Sequence, residues 1–217
     1  MKTIRSFIAI NLSLETARAI GAEQRRLAEA CDAAGARVRW VPPQNMHVTM
    51  RFLGDITEPM VAALKDALEA VARRTAPFEM RCGGLGAFPD LSRPRVLWIG
   101  VDSPGDEITG LHRRVAEVLE ETGFRTDDRP FHPHVTVGRV KTPEVDLAGL
   151  AAETEPRDPG TTRVADLVCY RSDLRPEGAG YRVMWRLPLK GRPPRFAAKK
   201  NPDTSPAPAA GEKERSE

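Results

Sequence analysis

Two identical tripeptides, His47-Val48-Thr49 and His134-Val135-Thr136, are the residues of this chain whose types and spacing suggest chemistry. Side chains alternate across a strand, so in each tripeptide the imidazole and the hydroxyl share one face while the valine points to the other. If the two strands confront each other, two imidazoles and two hydroxyls line one cleft. Imidazole titrates near pH 6.5, so a pair in its ordinary range holds one ring neutral and one protonated at neutral pH. In-line displacement at phosphorus uses such a pair, a base on the attacking oxygen and an acid on the leaving oxygen. The threonine hydroxyls can donate to non-bridging oxygens, where charge grows in the transition state. This chemistry calls for no metal and no organic cofactor.

The elements that must position these residues repeat as well. The first copy opens with an apolar strand over 4–12 and a helix capped by Ser13, carrying Leu14, Ala17, Ile20 and Leu27 on one stripe and ending near Gly35. An extended piece at 38–41, a strand over 46–54 and a helix capped by Thr57 complete it, with Val61, Leu64, Leu68 and Val71 as the apolar stripe. The second copy has a strand over 96–101, then Ser103-Pro104 opening a helix with Ile108, Leu111, Val115, Val118 and Leu119 that Gly123 ends. A strand over 133–140 follows, and Thr142-Pro143 opens a short helix with Val145, Leu147 and Leu150. Residues 78–88 form a strand pairing with 96–101, and residues 163–170 and 181–189 form a hairpin across a loop with Pro176, Gly178 and Gly180. The predicted fold class is α+β: two pseudo-symmetric lobes, each a small mostly antiparallel sheet backed by two helices, with a central cleft.

Composition bounds the rest. The 217 residues are 41% hydrophobic and 29% charged, which excludes collagen-like, coiled-coil and wholly disordered chains. Residues 1–190 make up the duplicated domain. Residues 191–217 hold five Pro and five Ala among alternating charges, with Phe196 as their only large apolar side chain, and are predicted to be a disordered tail. Cys31, Cys82 and Cys169 are odd in number and form no CxxC, so they read as buried small hydrophobes in a reducing compartment. No apolar run approaches the roughly 20 residues of a membrane span, and the protein is expected to be cytoplasmic and without a membrane partner. A net charge of +3 is too small to argue nucleic-acid binding by itself. The 26 Arg against 7 Lys carry little weight, because GC-rich codon usage gives the same ratio.

Around the two tripeptides, strict alternation places Arg51 in phase with His47 and Thr49 but Arg139 out of phase with His134, unless twist or a bulge turns it inward. His132 reads as a neighbour of His134, since Pro133 can begin the strand, and His112 as a helix-surface residue. Trp40, Trp98 and Trp185 read as core or cleft wall.

The segments His47-Val48-Thr49-Met50-Arg51-Phe52-Leu53-Gly54 and Phe131-His132-Pro133-His134-Val135-Thr136-Val137-Gly138-Arg139 resemble the paired His-x-Thr-x motifs of the 2H phosphoesterases. They look most like the branch called RNA 2′,3′-cyclic phosphodiesterase or 2′-5′ RNA ligase. The opening strand Arg5-Ser6-Phe7-Ile8-Ala9-Ile10 and the late Tyr181 are similar to that branch too, and the resemblance covers about residues 1–190. It implies a substrate, RNA or a nucleotide, ending in a 2′,3′-cyclic phosphate that water opens to the 2′-phosphomonoester. Carried over, His134 is the general base and His47 the general acid. Thr49, Thr136 and Arg139 hold the phosphate and Phe52 stacks a base, while joining to a 5′-hydroxyl is the reverse reaction. Met50 and Val137 stand where leucine is commoner, a hydrophobic exchange that leaves the catalytic set intact.

Two other readings compete. His47, His132 and His134 with a carboxylate could form a metal-dependent phosphoesterase, which leaves the duplicated threonines unexplained. A non-catalytic module binding RNA ends would use the same cleft but would leave both imidazoles superfluous.

Overall fold

In the computed structural model, residues 3–103, 105–125, 130–142, 145–149, 160–175 and 178–192 are described. Strand β1 (Thr3–Asn11) hands over to helix α1 (Leu14–Ala33) at Ser13, whose hydroxyl accepts from the Thr16 amide. Strand β2 (Val38–Trp40), a 3₁₀ turn at Pro43–Asn45, strand β3 (His47–Thr57) and helix α2 (Glu58–Arg74) follow. Then come β4 (Phe78–Phe88), β5 (Val96–Asp102), α3 (Glu107–Glu121), β6 (His134–Val140), β7 (Thr161–Val164), β8 (Asp166–Arg175) and β9 (Gly178–Pro188).

The strands run in the order β7-β4-β5-β6-β3-β1-β8-β9, with β2 added against β6, and every pairing is antiparallel. The two halves meet at β3 and β6 through a single pair, Val48↔Val135. The pseudo-symmetry expected from the repeat is therefore centred between the two tripeptides: Ile10, Val48, Val135 and Ile99 form one row across the join. Both valines are fully buried. They point away from the cleft into a core that also takes Ile20 and Leu27 of α1, Leu64 and Leu68 of α2, and Leu111 and Val115 of α3. The apolar stripes of the three helices thus fall where their period places them, except that Leu14, at the first turn of α1, is exposed.

The helices cross between the halves. Helix α1 packs against β2 and the 3₁₀ turn, α3 against β3 and α2, and α2 against β9 as well. Among the described residues no helix is long and apolar enough to cross a membrane. Cys31, Cys82 and Cys169 are free and buried; burial pushes the Cys31 thiol up to about 11 and the Cys169 thiol up to about 12.

Several expectations are corrected. Helix α3 starts at Glu107 after Asp106 rather than at Ser103-Pro104, although the Ser103 hydroxyl accepts from the Ile108 amide in its first turn. Residues 145–147 are not helical; helical backbone begins only at Ala148, whose amide donates to Asp146, and Leu150 lies outside the described residues. Thr142 does not start that helix, because its hydroxyl accepts from the Arg37 amide and ties the chain to the segment before β2. The single late hairpin is a separate strand β7 on β4 plus the long hairpin β8–β9, whose pairing runs from Asp166↔Pro188 to Arg175↔Gly178. Gly178 and Gly180 sit inside β9 rather than in a loop, paired with Arg175 and Asp173 of β8. The expected disordered tail lies, from residue 193 on, outside the described residues. The chain before it is anchored, with Lys190 and Gly191 donating to the Ala72 and Thr75 carbonyls at the end of α2.

Candidate active site

Each imidazole is held in the same way. His47 Nδ1 donates to the Asn45 carbonyl at 2.8 Å, and His134 Nδ1 donates to the His132 carbonyl at 2.7 Å. An acceptor fixed at Nδ1 keeps the proton there and leaves Nε2 as the atom at which a proton can come and go. The 3₁₀ turn supplies the Asn45 carbonyl, and Asn45 itself donates to the Ala179 carbonyl of β9. Phe7 stacks on His47 with ring centroids 4.7 Å apart, and Tyr181 meets it edge-on at 5.3 Å. His134 has Phe88 edge-on at 5.0 Å.

Burial acts on both rings. It holds the His47 imidazole down to about 4, helped by the neighbouring charge of His134 and opposed by the Asn45 hydrogen bond. His134 is lowered as well, by burial first and then by the charges of His132 and Arg139, against its hydrogen bond to His132. The ordinary-range pair expected from sequence is thus corrected: burial lowers both rings, because sequence spacing carries no measure of desolvation.

Thr49 and Thr136 line one cavity of about 800 Å³, together with His134, Arg51, Phe52 and Arg139. His47 is on the same strand face two residues before Thr49, half-buried behind Phe7 and Tyr181. The position of Arg139 follows from the register. Pairing of β3 with β1 steps from Ala9↔Thr49 to Ile8↔Arg51, leaving Met50 as an extra residue. Pairing of β6 with β5 steps from Trp98↔Thr136 to Leu97↔Gly138, leaving Val137 as the extra residue. Both strands bulge directly after the threonine, so Phe52 and Arg139 occupy equivalent places and both reach the cavity. The second bulge is clamped from below: the buried Gln24 of α1 donates to the carbonyls of Val41 and Val137 at 2.7 and 2.8 Å.

Sequence reading missed Phe88, Arg95, Phe131 and, above all, His112 as cavity-lining residues. His112 is half-buried, not a free surface residue, and lies flat on Phe131, with centroids 3.8 Å apart and planes 5° from parallel. The only signal for it was its place on the outer turn of an amphipathic helix, which does not say what that turn faces. Trp98 forms the wall beside His132, at 4.7 Å, and Gly86 makes room for it: a Cβ there would come within 2.2 Å of the indole. Trp185 is core and donates to the Val61 carbonyl, while Trp40 packs against the core. His132 stands beside His134 with ring centroids 6.4 Å apart. Among the described residues no three His, Cys, Asp or Glu side chains gather where they could hold one metal ion.

The chain is similar to known proteins. An RNA 2′,3′-cyclic phosphodiesterase of Methanothermobacter thermautotrophicus is 33% identical over 183 residues, 83% of this chain and 96% of that one. A crystal structure of a Thermus thermophilus protein superposes with a TM-score of 0.73 at 28% identity, covering 87% of this chain and 99% of its own. Escherichia coli LigT complexed with 3′-AMP superposes with a TM-score of 0.66 at 26% identity, with the same coverage of 87% and 99%. The model of the 2′-5′ RNA ligase superfamily matches residues 15–176, a span that takes in both His-Val-Thr strands and the Val48–Val135 join between them. With its paired motif strands inside that span, the chain belongs to the 2′-5′ RNA ligase superfamily of 2H phosphoesterases.

Proposed function

We propose that this protein is an RNA 2′,3′-cyclic phosphodiesterase that opens the cyclic phosphate to a 2′-phosphomonoester with its two histidines as acid and base. The observation that carries the reading is the matched pair of imidazoles, each with Nδ1 fixed to a carbonyl two residues earlier, on strands joined only at Val48↔Val135. The relative that carries this activity in its name and the nucleotide-bound LigT support the substrate class.

In this mechanism His134 Nε2 takes a proton from water as the water oxygen bonds to phosphorus. The bond from phosphorus to the 3′-oxygen breaks, and that oxygen takes the proton carried on His47 Nε2. The product is a 3′-hydroxyl beside a 2′-phosphate, with His134 left protonated and His47 neutral until solvent exchange resets them. Thr49, Thr136 and Arg139 donate to the non-bridging oxygens, where charge accumulates. Because burial keeps His47 neutral, it takes its proton from solvent as the substrate binds: an anionic phosphate placed against the ring offsets the desolvation that lowers it. With a 5′-hydroxyl in the place of water, the same groups join two RNA ends through a 2′-5′ linkage.

The test is hydrolysis of a 2′,3′-cyclic mononucleotide in excess EDTA by the wild-type protein and by His47→Ala and His134→Ala. The expected outcome is a 2′-phosphate product, with each variant folded and slowed by a factor of about 10² to 10⁴. Activity that appears only on adding a metal ion, or a wild type inert throughout, sinks the reading.

A further inference from the structure

The cavity's lining extends beyond the two threonines and Arg139 to Phe52, Arg51, His112 and Phe131, and these residues have a pattern. Phe52 is 67% exposed, an unusual cost for a phenylalanine that lies on a core strand. Next to it Arg51 reaches away from β3 and donates to the Arg125 carbonyl, just beyond the end of α3. On that same side Phe131 and His112 form their parallel stack, and both rings line the cavity. The lining therefore presents an aromatic ring, a guanidinium beside it in the chain and a second, stacked aromatic pair. The 3′ end of an RNA presents the complement: a base, an internucleotide phosphate and the preceding base. Aromatic faces take any base by stacking, and arginine takes a phosphate oxygen pair.

We propose that His112 and Phe131, with Arg51, form a subsite for the nucleotide that precedes the terminal cyclic phosphate, so that the enzyme selects oligoribonucleotide ends over mononucleotides. This rests on the phosphodiesterase reading above. Phe52 then serves the terminal base, Arg51 the linking phosphate, and the His112–Phe131 stack the next base. The pre-formed stack matters because two rings already held parallel lose little freedom when a third plane is added. A purely structural alternative also exists, in which the pair only fastens the segment before β6 to α3, and it makes a different forecast.

The experiment compares kcat/KM in EDTA for a dinucleotide ending in a 2′,3′-cyclic phosphate with that for the corresponding cyclic mononucleotide, in wild type, His112→Ala and His112→Phe. His112 is the residue to change because Phe131 lies only three residues before His134. The expected result is a wild-type preference for the dinucleotide that His112→Ala lowers about ten-fold, the factor given by losing one stacking contact of about 1.4 kcal/mol. His112→Phe, which keeps a flat ring, is expected to restore the preference. An equal loss on both substrates in His112→Ala overturns the subsite in favour of the structural role, and rates unchanged on both substrates, or a wild type without the dinucleotide preference, overturn it outright. Either result leaves the phosphodiesterase reading standing, whereas a wild type that cleaves neither substrate removes both.

Discussion

On the proposed mechanism His47 delivers a proton at neutral pH, yet it is buried so that it resists holding one, and that tension has a measurable signature. With His47 near 4 and His134 also below its ordinary range, the free enzyme holds the productive pair of protonation states on the acid side of pH 6.5. The kcat/KM profile for a cyclic mononucleotide is therefore expected to be bell-shaped with its maximum below pH 6.5. The kcat profile, which reports the complex, is expected to peak at higher pH, because the bound anion raises His47. Coincident maxima above pH 7 in a full pH–rate series would contradict this account. At this scale much was legible in the sequence: two His-x-Thr pairs in equivalent places announced imidazoles and hydroxyls on one face each. What was not legible was desolvation, which depends on Phe7 and Tyr181 closing over His47 from strands far along the chain.

Alternation along a strand placed His47 with Thr49 and His134 with Thr136 correctly, and it failed one residue later. The extra residues Met50 and Val137 are bulges, which no local pattern marks, so Arg139 looked misdirected although it lines the cavity. The bulge at Val137 has a support that sequence could not reveal, since Gln24 is remote from β6 in the chain and looked like any polar residue of α1. Replacing it tests the support. Gln24→Leu leaves the Val41 carbonyl without the side-chain donor it has now and is expected to lower unfolding free energy by about 1–3 kcal/mol. It should also raise KM for the cyclic nucleotide more than it lowers kcat, because Arg139 loses its aim while the histidines keep theirs. Denaturant unfolding together with steady-state kinetics reads both effects. Beside the bulge, the pairing of β2 leaves room only for Gly138, where a Cβ would come within 2.7 Å of Val38 and 3.1 Å of the Trp40 ring. Element boundaries were readable from the cap at Ser13 and the stripe along α2, but not at Ser103-Pro104, since α3 begins only at Glu107. They failed at Thr142, whose hydroxyl serves another strand rather than a helix start.

For the molecule as a whole, the two lowered imidazoles couple folding to pH. The unfolded chain takes up these protons near pH 6.5, while the folded chain keeps His47 unprotonated down to about 4, so between those values the unfolded state binds more protons. Stability is thus expected to be fullest above pH 6.5 and to fall as pH drops toward 4. The slope of Tm against pH across that window should flatten in His47→Gln, which removes one of the titrating groups; an unchanged slope would show that other groups set it. The α+β class and the duplication were legible because both copies repeat strand, helix, strand and cap. The way the halves share the sheet was not, because strand order is a long-range property.

That order also sets a schedule. Strand β1, near the start of the chain, pairs on one side with β3 and on the other with β8, which in turn pairs with β9. As the chain leaves the ribosome, β1 and β3 emerge early, and the second half from β4 to β7 is complete before β8 arrives. Through that interval the outer edge of β1 is an open row of amide and carbonyl groups, the kind of edge that pairs with whatever strand it meets. The last hairpin closes it, so a nascent chain stalled before β8 is the form of this protein most in need of a chaperone.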